Sequence, residues 1–93
     1  MLGENSQPLS YKGQDLTGEN FDHKDLRGVD FTSANLEKAT FVKANLQGAI
    51  FDKAFLKKAS FQEANLQGAM LRFADLEEAY FFEADLSKAN LSS

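Results

Sequence analysis

Ala34-Asn35-Leu36-Glu37-Lys38-Ala39-Thr40-Phe41-Val42-Lys43-Ala44-Asn45-Leu46-Gln47-Gly48-Ala49 is the run that decides the fold. Leu or Phe returns every fifth residue, with Ala two positions before it. Followed in both directions, the period holds at Leu16, Phe21, Leu26, Phe31, Leu36, Phe41, Leu46, Phe51, Leu56, Phe61, Leu66, Leu71, Leu76, Phe81, Leu86 and Leu91. The preceding slot is Ala without a break from Ala34 to Ala89, and the early units carry Gln14, Glu19, Lys24 and Val29 there. Between the two stands Asp or Asn in 10 of the 16 units, so the rule is Ala-(Asp/Asn)-(Leu/Phe)-x-x.

A longer period lies on top. Ala-Asn-Leu-Gln-Gly-Ala at 44–49 returns identically at 64–69, a spacing of 20 shared by Gly28, Gly48 and Gly68. A five-residue period excludes an amphipathic helix. Successive Leu/Phe would lie about 140° apart around the cylinder and form no stripe. A short extended segment fits better, because residues two apart point to one side of a strand. Ala and Leu/Phe then face inward, Asp/Asn faces out, and the x-x pair turns the chain. Four turns close a loop of 20 residues, and the next loop stacks about 4.8 Å above it.

These residues are similar to the pentapeptide-repeat family, defined by tandem A(D/N)Lxx units. The resemblance runs over residues 14–93 without interruption. It implies an all-β, right-handed quadrilateral parallel β-helix, a solenoid of about four 20-residue coils. The sixteen Leu/Phe positions above are the expected structural core. Residues 1–13 are expected to form an N-terminal lid and a degraded repeat, Leu9-Ser10-Tyr11-Lys12-Gly13, with Pro8 in the lid. Gln14, Glu19 and Lys24 stand at inward positions of the first coil, where long polar side chains must reach solvent. The last coil is expected to leave Leu76, Phe81, Leu86 and Leu91 facing outward along the axis.

Composition closes several functional classes. The 93 residues contain no Cys and one His, so disulfides, thiol nucleophiles and multi-His metal sites are not expected. A net charge of −4 argues against direct nucleic-acid binding by phosphate neutralisation. No apolar run reaches membrane-span length, and Met1–Ser10 lacks a secretory signal pattern, so a cytoplasmic location is expected. Asp15, Asp25, Asp30, Asp75 and Asp85 read as turn-forming residues, because short polar side chains bond nearby backbone. His23 reads as a surface residue. No nucleophile–base constellation, phosphate loop or cofactor motif is present, and neither an enzyme nor a bound cofactor is expected.

The outer wall carries exceptions. Ile50, Phe55, Met70 and Tyr80 occupy the Asp/Asn slot, while Val42, Phe73 and Phe82 occupy x-x slots. Ile50, Phe55, Met70, Phe73, Tyr80 and Phe82 are therefore the candidate interaction surface, since contiguous exposed apolar groups mark contact sites. Charge is uneven along the rod: residues 14–33 carry −3, 34–53 carry +1, 54–73 carry +2 and 74–93 carry −4. The expectation is a rigid protein-binding or scaffold module associating through its C-terminal coil. The occupant would be a second copy or another repeat protein. The family resemblance implies an alternative, a DNA mimic regulating or inhibiting a type II topoisomerase such as DNA gyrase. Four coils rise only about 20 Å, roughly six base pairs of duplex, and the basic middle interrupts an acidic stripe.

Overall fold

The computed structural model describes residues 9–92. The chain winds as a four-sided solenoid in which each side is one pentapeptide. Coil 1 comprises residues 14–33, coil 2 34–53, coil 3 54–73 and coil 4 74 onward. Thirteen parallel bridges join the coils, and all pair residue i with residue i+20. Only the Asp/Asn slot of each side forms such a bridge, because a three-residue side is too short for a longer ladder.

Turn chemistry sets the corners. In all sixteen units the Ala-slot N–H donates to the carbonyl three residues back, as in Ala39 to Leu36 at 2.9 Å. The residue just before the Ala slot has φ between 58° and 71° throughout, which with this bond marks a type II turn. Gly13, Gly18, Gly28, Gly48 and Gly68 meet that demand without steric cost. Eleven other residues, among them Lys38, Lys53 and Phe73, adopt it with a side chain attached.

Every backbone N–H of a regular unit with a coil above and below it is satisfied, as a buried solenoid requires. Unit 44–48 is representative. Ala44 closes its turn onto Phe41, and Asn45 donates down to the Lys24 carbonyl at 2.9 Å. Leu46 and Gly48 donate up to the carbonyls of Asn65 and Gln67 at 2.7 and 3.0 Å. The fifth, Gln47, donates to the side-chain Oδ1 of Asn45 at 3.2 Å.

The interior is a set of side-chain ladders. Phe21, Phe41, Phe61 and Phe81 stack with ring centroids 5.0–5.1 Å apart and planes within 7°. Tyr11, Phe31 and Phe51 form a second stack at 5.4 and 4.9 Å. The two meet edge to face, as between Phe31 and Phe41 at 82°. Both geometries favour the ring quadrupole, and each pair adds about 0.5–1.5 kcal/mol beyond area burial. Ala34, Ala39, Ala44, Ala49, Ala54, Ala59, Ala64 and Ala69 are buried between the ladders.

Of the sixteen expected core residues, Phe21, Leu26, Phe31, Leu36, Phe41, Leu46, Phe51, Leu56, Phe61, Leu66 and Leu71 are buried. Leu16, Leu76, Phe81 and Leu86 are only half-buried, and Leu91 is 44% exposed. The gradient follows stacking: in the described structure these five lack a neighbouring coil on one side. Gln14, Glu19 and Lys24 are exposed, as long polar side chains in the first coil must be. Val29, in the same slot one side later, is buried. Tyr11 continues the Phe31 stack, and Ser10 pairs with Asp30, so the path of the coil already includes residues 9–13. The lid expected around Pro8 lies outside the described residues.

Candidate protein-interaction surface

The Asp/Asn slot is a backbone cap. In all ten units that carry Asp or Asn, the side-chain Oδ1 accepts the N–H two residues on, at 2.8–3.3 Å. Asp15, Asp30 and Asp85 also accept a hydroxyl from Thr17, Thr32 and Ser87. These bonds favour the charged form and hold each carboxyl below the usual carboxylate range, the hydroxyl bond being the largest cause. Asp25 is lowered chiefly by its hydrogen bonds to the Arg27 side chain. These carboxylates are occupied in turns and are not poised for acid–base chemistry.

Six units lack Asp or Asn, and their treatment differs. Ser60, like Ser10 in the degraded repeat before the sixteen units, gives only a long bond of 3.4 Å, to Gln62 and Lys12 respectively. Above Thr40 and Met70 the cap comes from the coil below. Asp22 accepts the Val42 N–H at 2.8 Å, and Asp52 accepts the Arg72 N–H at 3.0 Å. Above Ile50, Phe55 and Tyr80 no substitute exists among the described residues. The N–H groups of Asp52, Lys57 and Phe82 there have no protein acceptor.

The apolar candidates are not equally presented. Phe55, Phe73, Tyr80 and Phe82 are exposed, with Phe73 the most open at 64%. Ile50 and Met70 pair through the ladder on one side and are half-buried. Tyr80 and Phe82 stack on each other at 6.2 Å on coil 4. Val42, two coils below Phe82, is half-buried. Phe73 borders a shallow groove shared with Lys12, Thr32, Ser33, Asp52, Lys53 and Arg72. Asp52 is consumed there by the Arg72 guanidinium at 2.6 Å, so the groove keeps no unpaired carboxylate. Among the described residues no group of three or more His, Asp or Glu could hold a metal ion. His23 is exposed at a corner with positive φ.

The family model for the pentapeptide repeat region matches residues 10–91. The chain belongs to the pentapeptide-repeat family. Its fold is the right-handed quadrilateral β-helix of that family. A pentapeptide-repeat protein from the Arabidopsis thaliana thylakoid lumen is 33% identical, with a TM-score of 0.80, over 88% of this chain and 57% of that one. A pentapeptide-repeat protein from Nostoc is 32% identical, with a TM-score of 0.72, over 90% of this chain and 65% of that one. The chain thus spans less than two thirds of the length of either structure. No curated protein matches its sequence. No helix among the described residues is long and apolar enough to cross a membrane.

Pattern alone located the exposed aromatics of this pentapeptide-repeat chain. It missed the inter-coil caps from Asp22 and Asp52, although both lie 20 residues before the amide they serve. The signal was there: each Asp sits in an x slot below a unit whose own cap is Thr or Met.

Proposed function

We propose that this chain is a non-enzymatic, rigid protein-binding rod that engages its partner through coil 4. One observation carries the reading. Tyr80 stands in a capping slot, leaves the Phe82 N–H without a protein acceptor, and stacks on Phe82 with both rings more than half exposed. Losing a local hydrogen bond while exposing two rings is a net cost to the isolated fold. The pair is explained if a partner covers it, since buried aromatics dominate interface energetics.

The DNA-mimic alternative gains nothing from the arrangement. A mimic needs continuous negative potential. Here Lys38, Lys43, Lys53 and Lys58 are exposed along the middle coils.

The test is affinity capture from the native cell with the wild-type chain and a Tyr80→Ser/Phe82→Lys double variant as baits, followed by mass spectrometry. A protein enriched by wild type and lost with the variant supports the reading. Identical profiles overturn it, provided circular dichroism shows both baits folded.

A further inference from the structure

Two opposite corners of the rod carry complementary surfaces. The turns at 52–53 and 72–73 lie two sides away from the turns at 62–63 and 82–83. On a four-sided coil that places them diagonally across the section. The first corner holds the shallow groove, whose volume is about 440 Å³. Thr32 and Ser33 are its short lining residues, and Lys12, Lys53, Arg72 and Phe73 are the long ones. Lys12 and Lys53 are exposed and make no ion pair among the described residues, while Asp52 is held by Arg72. Asp30 and Asp75, in the slots on either side, are bonded into their own turns. Phe73 is the most open of the exposed aromatics, and the one apolar side chain among the eleven non-glycine residues of positive φ. A bulky residue strained in that conformation and left open points to a use outside the isolated fold.

The second corner projects. Tyr80 and Phe82 stand out as a stacked pair, with Glu83 beside them and Glu63 one coil below. Two copies set side by side in one orientation, offset by half a coil (about 2.4 Å), bring residue i of the first corner level with residue i+10 of the second. Lys12 then meets Asp22, Ser33 meets Lys43, and Lys53 meets Glu63. Arg72 meets Phe82, and Phe73 meets Glu83 with the Phe82 ring adjacent. The remaining pairs, Gly13 with His23, Thr32 with Val42 and Asp52 with Gln62, also set no like charges together. The opposite offset puts Lys53 against Lys43, so charge selects one register.

We propose that the chain associates laterally with a second copy of itself, the Tyr80–Phe82 pair of one copy entering the Phe73 groove of the next. Phe82 gains a guanidinium and a ring there, both favourable neighbours for an aromatic face. This rests on the partner-binding reading of coil 4 and names the partner. The contact joins two different patches, so every copy in it keeps one patch free and association is open-ended.

Sedimentation velocity on the full chain between about 10 μM and about 1 mM covers the range expected of so small a contact. The sedimentation coefficient should rise with concentration. Lys53→Glu spoils the groove and Phe82→Ser spoils the projection, and each should weaken association about tenfold. Both positions are exposed, and circular dichroism checks that both variants fold. An equimolar mixture of the two should form a dimer and nothing larger, because only one intact groove and one intact projection remain between them. A wild-type chain that stays monomeric throughout overturns the inference, as does a mixture that stays monomeric or grows like wild type. A monomeric chain that still captures another protein through Tyr80 and Phe82 removes this inference and leaves the partner-binding reading standing. Association unaffected by Phe82→Ser overturns both.

Discussion

Asp52 holds Arg72 from one coil below with both carboxylate oxygens: Oδ1 accepts the backbone N–H at 3.0 Å and Oδ2 accepts the guanidinium Nη2 at 2.6 Å. One side chain thus replaces the turn cap that Met70 cannot supply and ties coil 2 to coil 3. The Arg72 bonds are also the leading reason its carboxyl is held below the usual range.

Two substitutions separate these roles. Asp52→Asn keeps an oxygen for the Arg72 N–H and loses the ion pair, which is partly exposed and worth little. Asp52→Ala loses both. Asp52→Ala should lower stability by about 1 kcal/mol, and Asp52→Asn by less than half of that. Urea denaturation of the two variants beside wild type measures the gap; equal losses would refute the capping role.

The interior predicts intolerance to added volume. Ala64 is 1% exposed, enclosed between ladders that leave no room for a larger group. Ala64→Leu should destabilise by about 1–3 kcal/mol despite its greater hydrophobicity. Ala84→Leu, one coil higher in the same ladder and half-buried, should cost clearly less. Matching melting temperatures for the two variants would contradict this packing.

Much of this was legible before any coordinates. The period of five excluded a helix, the period of 20 set the coil register, and the Ala slot foretold a narrow interior. The exposed Phe55, Phe73, Tyr80 and Phe82 were legible because each violates a positional rule. The partial exposure of Leu76, Phe81, Leu86 and Leu91 was legible once the coils were counted, whereas that of Leu16 was not, because its slot is the same as that of the buried Leu36 and Leu56. The free N–H groups above Ile50, Phe55 and Tyr80 also stayed hidden, because a missing hydrogen bond has no residue of its own.

Corner backbone strain gives a stabilising change. Lys38 holds φ of 64°, a conformation costly to side chains, whereas Gly adopts it freely. Lys38→Gly should raise stability by about 0.5–1 kcal/mol, the relief of strain exceeding the entropy lost by the freer unfolded chain. The reverse experiment is Gly48→Val. A Cβ at Gly48 meets nothing within 4 Å, so the site has room at its Cβ and the backbone φ of 71° is the main obstacle to a branched side chain. That variant should lose about 1–3 kcal/mol. A stable Gly48→Val protein would show that the corners tolerate strain more readily than the dihedrals imply.

Acid should unfold the rod through its turn caps. Asp15, Asp25, Asp30, Asp52 and Asp85 are all held below their ordinary range by bonds that form only in the folded chain. A depressed folded pKa means the unfolded chain binds protons first as pH falls. Stability from these groups is therefore complete above the ordinary carboxylate range and is lost as pH drops through it toward the lowered folded values. The slope has a structural origin that a variant can isolate. Asp30→Asn keeps a carbonyl oxygen to accept the Thr32 N–H but cannot titrate. Its melting temperature should fall less steeply with acid than that of wild type while changing little at neutral pH. Parallel acid profiles for the two proteins would mean that Asp30 carries none of the pH dependence, and the cap would then be an uncharged geometric device.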